Sequence, residues 1–308
     1  MSEGGSIRSV PVAADARLEA QRVRFSICTL VTNWDEYREM VASFERRGFV
    51  GPDVEYLYLD NAHGNRHEAY GGYNVFLAAA RGDYVVLCHQ DVLLLEDDRA
   101  VLERRLAELD ALDPAWALCG NAGGAWPGEV VVRISDPGGD DQRYGAIPGR
   151  VTALDENFIV ARRAANLALG RELAGFHFHG TELCVVADTL GWSAWVIDFH
   201  LRHKSAGNPD REFGRLRTAF VLRWERALRP RWVTGTIVGM FLSGSSVLNR
   251  VVYSRHGALF FRPVRKWLHL GRRHGLTARY DGDPHAMPDV TDHAYGWPPR
   301  NPPLPRTW

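Results

Sequence analysis

Short apolar runs alternate with stretches of helical periodicity between residues 24 and 120, and no other feature constrains the fold of this chain as strongly. The four runs are rich in β-branched and aromatic residues, which is typical of buried strands. They are residues 25–33, 54–61, 83–92 and 116–120. Strands that alternate with helices in this way favour a mainly parallel sheet. We therefore predict an α/β fold built on a parallel sheet.

Polar residues follow these strands, and ligands of such sheets bind at the carboxyl ends of the strands. The residues at these ends are Thr32, Asn33, Asp60, Asn61, His89, Gln90 and Asp91. The first strand runs into Asn-Trp-Asp-Glu-Tyr and not into Gly-x-Gly-x-x-Gly, which argues against a dinucleotide site. The chain has no phosphate-loop motif and only two lysines, so a phosphate-loop NTPase and a Schiff-base enzyme are also disfavoured.

The formal net charge of zero is a sum of two unequal parts. Residues 1–200 hold 18 basic and 30 acidic residues, whereas residues 201–308 hold 19 basic and 7 acidic ones. Neutrality argues against nucleic acid as the main ligand. The four cysteines lie singly in apolar runs, which indicates reduced core thiols. Without an apolar signal segment, we expect a cytoplasmic protein.

Four segments, in this order, resemble those of GT-A glycosyltransferases, in the bacterial group related to inverting family-two enzymes. The resemblance covers about residues 24–208 and implies a GT-A fold, which is a Rossmann-like mixed, mainly parallel sheet flanked by helices. The segments are FSICTLVTN (25–33), the LDN that ends the second strand (59–61), YNVFLAAARGDYVVLCHQDV (73–92) and FHFHGTELCVVADTLGWSAWVIDFHLRHKSAGN (176–208). The resemblance implies transfer of a sugar, with inversion, from a UDP-, GDP- or dTDP-sugar to a glycan or lipid-linked acceptor, as in polysaccharide biosynthesis.

The same resemblance assigns roles to individual residues. Glu182 corresponds to the catalytic base, and Asp60 and Asn61 to contacts with the nucleobase or ribose. The remaining contacts to the nucleotide sugar are Thr32, Asn33, Asn74, His89 and Gln90. Each residue type also has a structural explanation: Asn33 has the spacing of a helix cap, Asp60-Asn61 favours a turn, and Glu182 suits the first turn of a helix.

Residues 89–91 read His-Gln-Asp where many relatives have Asp-x-Asp, so only Asp91 remains as a carboxylate. With His203, from the His-x-Ser end of the fourth segment, Asp91 is the predicted metal site. A nitrogen ligand suits Mn²⁺ better than Mg²⁺. His89 is a substitute ligand or a contact to the sugar, and the need for a metal stays open. The pairs His63/His67 and His177/His179 lack a companion carboxylate and do not predict a zinc site.

The sequence offers fewer candidate residues for binding the acceptor. Asp155 and Glu156 lie in a predicted strand over residues 151–162 and are alternatives for the base or an acceptor contact. Trp126 lies in a Gly/Pro loop, where an aromatic ring either stacks on a sugar or packs. Residues 121–149 are predicted to be loops around one strand.

We predict four segments along the chain: a flexible leader (1–22), a GT-A catalytic domain (23–209), a basic α-helical region (210–280) and a Pro-rich tail (281–308). Residues 202–279 hold 17 basic and 3 acidic residues, with tryptophans between the arginines. This composition suits helices on an anionic membrane surface, which would make the protein peripheral at the inner face of the membrane. The alternative is that these helices pack on the acidic catalytic domain.

Two other functions are compatible with the pattern. One is a nucleotidyltransferase on a similar scaffold, although the chain lacks the glycine-rich, Lys/Arg-bearing loop that binds a triphosphate. The other is a non-catalytic sugar- or membrane-surface-binding module, because residues 89–91 lack one of the two acidic residues.

Overall fold

The computed structural model describes residues 22–205, 211–234, 239–254 and 256–257. The chain forms two compact units, Met1–Trp224 and Glu225–Trp308. The predicted Pro-rich tail and all but the last residue of the predicted leader lie outside the described residues, and the predicted domain limits stay predictions. Among the described residues, no helix combines the length and the apolar character needed to span a bilayer.

Fifteen strands and six α-helices occur in the described residues. The strands are β1 (Phe25–Val31), β2 (Val54–Asp60), β3 (Tyr84–Cys88), β4 (Val92–Leu94), β5 (Trp116–Gly120), β6 (Ala122–Ala125), β7 (Glu129–Asp136), β8 (Gly139–Tyr144), β9 (Gly149–Val151), β10 (Ala153–Leu154), β11 (Phe158–Arg162), β12 (Ser193–Val196), β13 (Leu201–His203), β14 (Arg231–Thr234) and β15 (Gly239–Leu242). The helices are α1 (Trp34–Arg46), α2 (Ala69–Ala79), α3 (Arg99–Leu112), α4 (His179–Thr189), α5 (Arg211–Leu228) and α6 (Ser246–Tyr253).

The central sheet has seven strands in the order β2-β1-β3-β11-β5-β12-β9. Five of them are parallel, whereas β11 and β9 run against their neighbours. The predicted mixed, mainly parallel sheet flanked by helices is therefore confirmed. Because β11 is antiparallel, its first residue, Phe158, pairs with Cys88, the last residue of β3. The turn that precedes β11 thus lies at the edge where the parallel strands end.

Helices cover both faces of this sheet, and the apolar periodicity of the sequence explains how. The Asn33 side chain accepts hydrogen bonds from the backbone N–H groups of Asp35 and Glu36 and so caps α1. Met40 and Phe44 of α1 then pack with leucines of α3 on one face. Apolar residues of α2 and α4 form the core on the other face. All four cysteines are buried and unpaired, as predicted.

A second sheet lies beside the first, in the order β10-β6-β7-β13-β4, with β8 paired to β7. It corrects two predictions. Residues 121–149 are mostly strands (β6, β7 and β8) and not mostly loops. The polar residues of β8 are largely exposed on a hairpin with β7, so β8 has no apolar strand pattern in the sequence. Residues 151–162 are not one strand, since Asp155 and Glu156 lie in the turn between β10 and β11.

The described part of the second unit contains the end of α5, a two-stranded hairpin of β14 and β15, and α6. The region from residue 210 onward is therefore helical over α5 and α6, and the sequence did not predict the hairpin between them.

Candidate active site

Strand pairing brings two segments that are far apart in sequence to the carboxyl end of β3. His89, Gln90 and Asp91 connect β3 to β4, and β4 pairs antiparallel with β13. In that register His203 lies opposite Val92, the residue after Asp91. The backbone N–H of Lys204 also donates to the carbonyl oxygen of Asp91, at 3.1 Å. The second sheet thus places His203 beside the His-Gln-Asp segment.

His89, Asp91 and His203 form a cluster in which one ligand atom from each residue lies within 4.8 Å of the other two. The Nε2 atom of His203 is central: it is 3.4 Å from Oδ1 of Asp91 and 3.4 Å from Nδ1 of His89. Two imidazole nitrogens and one carboxylate oxygen suit Mn²⁺ and similar cations. The donor set therefore fits the predicted metal site, and it includes His89 as a third ligand.

The electrostatics of the cluster favour an ionised carboxylate. Burial alone would raise the pKa of Asp91, but hydrogen bonds from His203 and Ser205 and the nearby imidazoles outweigh it and hold the pKa below its usual range. Burial works against the charged form of His203, yet Asp91 raises the pKa of this imidazole above its ordinary value. Burial and the neighbouring His203 lower the pKa of His89. An ionised Asp91 is the form that binds a cation.

Glu156 belongs to the turn that precedes β11, and the backbone of this turn contacts the cluster. The backbone N–H of His89 donates to the carbonyl oxygen of Asn157, the residue after Glu156, at 2.9 Å. The Glu156 carboxyl group faces the N-terminus of α4, where Oε1 accepts from the backbone N–H of Gly180 at 3.2 Å. Burial raises the pKa of Glu156 to about 8, against the opposing effect of backbone hydrogen bonds from the start of α4.

Gly180 is what allows this approach. A Cβ atom at this position would lie 2.7 Å from the carbonyl oxygen of Leu154 and 3.1 Å from Cγ of Glu156. The residue before the helix, Phe178, has a φ of +67°, which is uncommon for a bulky residue. Its ring packs on Phe213, with ring centroids 4.6 Å apart. The start of α4 is therefore shaped by close packing against Glu156 and by aromatic contacts to α5.

Glu182, the predicted base, is enclosed by side chains of α5. Its side chain is 0% exposed. Oε1 accepts from Nε of Arg223 at 2.7 Å, and Oε2 accepts from Nε1 of Trp224 at 2.7 Å. Both oxygens are thus held by donors of α5, away from solvent. The role of Glu182 as the base stays a prediction, and the sequence does not show that α5 packs over the first turn of α4.

Several residues that were predicted to contact the nucleotide sugar form hydrogen bonds within the protein. Oε1 of Gln90 accepts from the backbone N–H groups of Thr32 and Asn33, at 2.7 and 2.9 Å. Asn61 is buried and bonds in both directions to the backbone of His67. Gln90 thus connects the residues after β3 to those after β1, whereas Asn61 closes the loop between β2 and α2.

Asn74 is likewise a connector, since its amide bonds to both backbone groups of Leu169. Asp60 differs from Asn74 because it is exposed. Its Oδ1 accepts a hydrogen bond from the backbone N–H of Ala62. Asp155 is exposed beside the cluster, and Trp126 is 73% exposed on the turn between β6 and β7.

Sequence reasoning missed one residue, His179, which opens α4. Its imidazole is 2% exposed, and Nδ1 lies 3.3 Å from Oε1 of Glu156. The only sequence signal is the His-x-His pair with His177, which lacks a companion carboxylate nearby in the sequence. The companion carboxylate comes from a turn more than twenty residues earlier in the chain.

No protein-family model matches the chain. A curated relative is the protein of the ATP synthase subunits region ORF 6 of Fuscovulum blasticum. It is 35% identical over 220 residues, which cover 70% of this chain and 86% of that protein. Its name states a genomic position and no activity.

Three solved structures resemble the chain at low sequence identity. They are A197 from STIV (13% identity, TM-score 0.38, 60% of this chain and 87% of that chain), S. aureus TarS 1–349 in complex with UDP-GlcNAc (13%, 0.42, 60% and 60%) and GalNAc-T7 with UDP, GalNAc and Mn²⁺ (10%, 0.45, 82% and 58%). The chain thus spans about three fifths of the length of the last two. Because all three TM-scores lie below 0.5, the activity has to be argued from the chain's own site.

Proposed function

This chain belongs to the family of the ATP synthase subunits region ORF 6 protein of Fuscovulum blasticum, and we propose that it is an inverting, family-two-like glycosyltransferase with a nucleotide-sugar donor. The observation that carries the proposal is the cluster of His89, Asp91 and His203 after the carboxyl end of β3, with the backbone of His89 hydrogen-bonded to the turn that carries Glu156. The order of the four sequence segments that resemble these enzymes supports it.

Inverting transfer needs a base for the acceptor hydroxyl, alignment behind the anomeric carbon, and neutralisation of the departing diphosphate. His89, Asp91 and His203 would hold a divalent cation, with Mn²⁺ favoured over Mg²⁺ by the two imidazoles. When bound there, the cation supplies positive charge opposite the diphosphate. Asp60, exposed at the end of β2, would accept hydrogen bonds from the ribose or nucleobase of a UDP-, GDP- or dTDP-sugar.

Glu156 would be the base in place of Glu182. The Glu156 side chain is 21% exposed, whereas Glu182 is closed off by Arg223 and Trp224. A base works best when its pKa lies near the operating pH, and burial raises the pKa of Glu156 to about 8. Glu182 then anchors α5 to α4.

The acceptor would be a glycan or a lipid-linked sugar of polysaccharide biosynthesis. Asp155 is exposed next to Glu156 and could bind acceptor hydroxyls. The exposed ring of Trp126 offers a surface on which a sugar ring stacks.

We expect Mn²⁺ to be required for tight binding of the nucleoside diphosphate. The test measures binding of UDP, GDP and dTDP by calorimetry with and without Mn²⁺, and then product release across the matching nucleotide sugars. Asp91→Asn removes a direct ligand and should weaken Mn²⁺-dependent binding at least about 100-fold, since changes further from a metal already cost 10–100-fold. Asp188→Asn, on an exposed position of α4, is the matched control and should bind like the wild type.

Other outcomes of these measurements would contradict the proposal or indicate a different function. If no nucleoside diphosphate binds and Asp91→Asn changes nothing, the proposal is wrong. Release of pyrophosphate from a nucleoside triphosphate and a sugar phosphate would indicate a nucleotidyltransferase. Tight binding of a donor that is never turned over, and that Glu156→Gln leaves unaltered, would indicate a binding module.

The second unit would attach the enzyme peripherally to the inner face of an anionic membrane, with the rest in the cytoplasm. Its described residues include four arginines and one glutamate. Val247 and Val251 lie one turn apart on α6 and are 68% and 54% exposed, and Met240 and Leu242 of β15 are each 42% exposed. Basic residues beside exposed apolar side chains suit the surface of an anionic bilayer.

Flotation with vesicles tests this attachment. Full-length protein should float with phosphatidylglycerol vesicles and not with phosphatidylcholine vesicles, and raising the salt concentration should release it because the attraction is electrostatic. Val247→Asp with Val251→Asp should reduce flotation at least about fivefold. Val50→Asp, a 51% exposed valine of the first unit, is the matched control. Equal binding to both lipids, or no binding, would contradict the attachment.

A further inference from the structure

The imidazole of His179 is enclosed in the first unit without the hydrogen bonds that a buried polar group normally makes. It is 2% exposed, and neither ring nitrogen has a hydrogen-bond partner among the residues that the structure describes. The imidazole packs edge-to-face with the ring of Tyr73, with ring centroids 4.6 Å apart and an interplanar angle of 83°. Buried polar groups are usually satisfied, so an unsatisfied imidazole calls for a functional explanation.

Oε1 of Glu156 lies 3.3 Å from Nδ1 of His179. The backbone N–H of Gly180 approaches the same oxygen, at 3.2 Å. Burial holds the pKa of His179 well below its ordinary value, with smaller contributions from His89 and His177. The imidazole is therefore neutral and carries one hydrogen, on either Nδ1 or Nε2.

Resting on the proposed role of Glu156 as the base, we propose that His179 is its positioning residue. The hydrogen of the neutral imidazole lies on Nδ1, and a turn of the ring at the present 3.3 Å separation would direct it at Oε1 of Glu156, so that it and the Gly180 N–H together fix that oxygen. Oε2 is then the atom that faces the acceptor hydroxyl and takes up its proton. The Nδ1 hydrogen stays on His179 throughout, so the imidazole does not itself exchange a proton with the acceptor.

The donated hydrogen also favours the ionised form of the carboxyl group. A hydrogen bond to a charged group stabilises that form, and its loss would raise the pKa of Glu156 by about one to two units. The other titratable groups around the pair come from every neighbouring element. They are Asp155 on the same turn, Glu182 and His177 at α4, Tyr70, Tyr73 and Glu68 around α2, His89 after β3 and Arg223 of α5. None of them changes in the variants below, so a shift can be assigned to His179.

A matched pair of variants separates the donor from the packing. In His179→Asn the side-chain amide reaches about as far as Nδ1, whereas in His179→Gln it reaches about as far as Nε2. Both variants remove the ring and carry the same amide. If His179 acts through Nδ1, the Asn variant keeps the donor to Oε1 and the Gln variant does not.

The first readout needs no turnover. Carbon-13 NMR of full-length protein labelled at glutamate carboxyl groups, in metal-free buffer, should show one group that titrates near pH 8 and is lost in Glu156→Gln. That titration should stay within about 0.3 unit in His179→Asn and rise by about one to two units in His179→Gln. Nitrogen-15 spectra of wild-type His179 should show a protonated Nδ1 and an unprotonated Nε2.

The second readout is the pH dependence of kcat/KM, whose apparent pKa should follow the NMR titration. At pH 7 the Gln variant should lose about tenfold to hundredfold in kcat/KM, and the Asn variant less than about threefold. A His179 hydrogen on Nε2, or a Glu156 titration that is the same in both variants, would overturn the proposal. If the wild type turns over no nucleotide sugar, the proposed function fails, whereas the NMR titration still decides the hydrogen bond.

Discussion

Replacing Arg223 with alanine is expected to lower the free energy of unfolding by about 3–5 kcal/mol. The guanidinium donates to the fully buried Glu182 at 2.7 Å and also bonds to Glu172. Without it, the Glu182 carboxylate is left as an uncompensated charge in the core, with Trp224 as its remaining donor. Urea unfolding followed by tryptophan fluorescence measures the change as a shift of the midpoint at constant slope.

Two further variants make this test specific. Arg215 of the same helix pairs with Glu212 at the surface, with side chains 71% and 41% exposed, so Arg215→Ala should cost less than about 1 kcal/mol. The double variant Arg223→Met with Glu182→Gln removes both charges and keeps an acceptor for Trp224. It should recover most of the lost stability. A loss below about 1 kcal/mol for Arg223→Ala would instead mean that Glu182 does not depend on this pair, and its role as the base would be open again.

Glu156→Gln is expected to lower kcat by about 10²–10⁴-fold, because the amide cannot take a proton from the acceptor hydroxyl. Binding of Mn²⁺ and nucleoside diphosphate should change little, since Glu156 is not in the His-Asp-His cluster. In the wild type, kcat/KM should rise with pH up to about 8, where the buried carboxyl group ionises according to its raised pKa. Steady-state kinetics between pH 6 and 9, with the exposed Glu45→Gln of α1 as the control, measure both effects.

Glu156→Gln is expected to lower activity but to raise the free energy of unfolding at high pH. The pKa of Glu156 is raised from an ordinary value of 4.5 to about 8 in the folded state, so the folded state binds this proton more tightly than the unfolded state. The contribution to stability is complete below about pH 4.5 and is lost as the pH rises to about 8. Glu156→Gln, which cannot ionise, should therefore exceed the wild type in stability by at least about 1 kcal/mol at pH 9, with no such gain at pH 4. If the variant is equally stable relative to wild type at both pH values, Glu156 is not a buried carboxyl group.

The sequence predicted the sheet because apolar strands and helical periodicity are local signals. β1, β2 and β5 lie within two residues of their predicted limits. Asp91 and His203 were both identified as metal ligands, but only the pairing of β4 with β13 shows that their side chains meet. That register depends on residues more than a hundred positions apart, which no local pattern contains.

Polar residues at strand ends were harder to assign. Gln90, Asn61 and Asn74 have the residue types of ligand contacts, yet their amides bond to backbone groups, of distant segments for Gln90 and Asn74 and of the same loop for Asn61. An amide can do either, and only the tertiary partner decides which. Glu182 and Glu156 are equally ambiguous in the sequence, and only the structure shows that donors of α5 hold both oxygens of Glu182 whereas a backbone N–H of α4 reaches Glu156.

The place of β11 bears on how the chain folds during synthesis. β3 and β5 are not neighbours in the sheet; each pairs with β11, which is made some 40 residues after β5. Until residues 158–162 leave the ribosome, β3 and β5 each have an edge without a hydrogen-bonded partner strand. All residues of both strands are buried in the folded protein. Such edges invite pairing with other chains, and long-range pairing is slow. The nascent chain therefore depends on β11 to join the two halves of its sheet, and the strand that does so also leads directly out of the Glu156 turn.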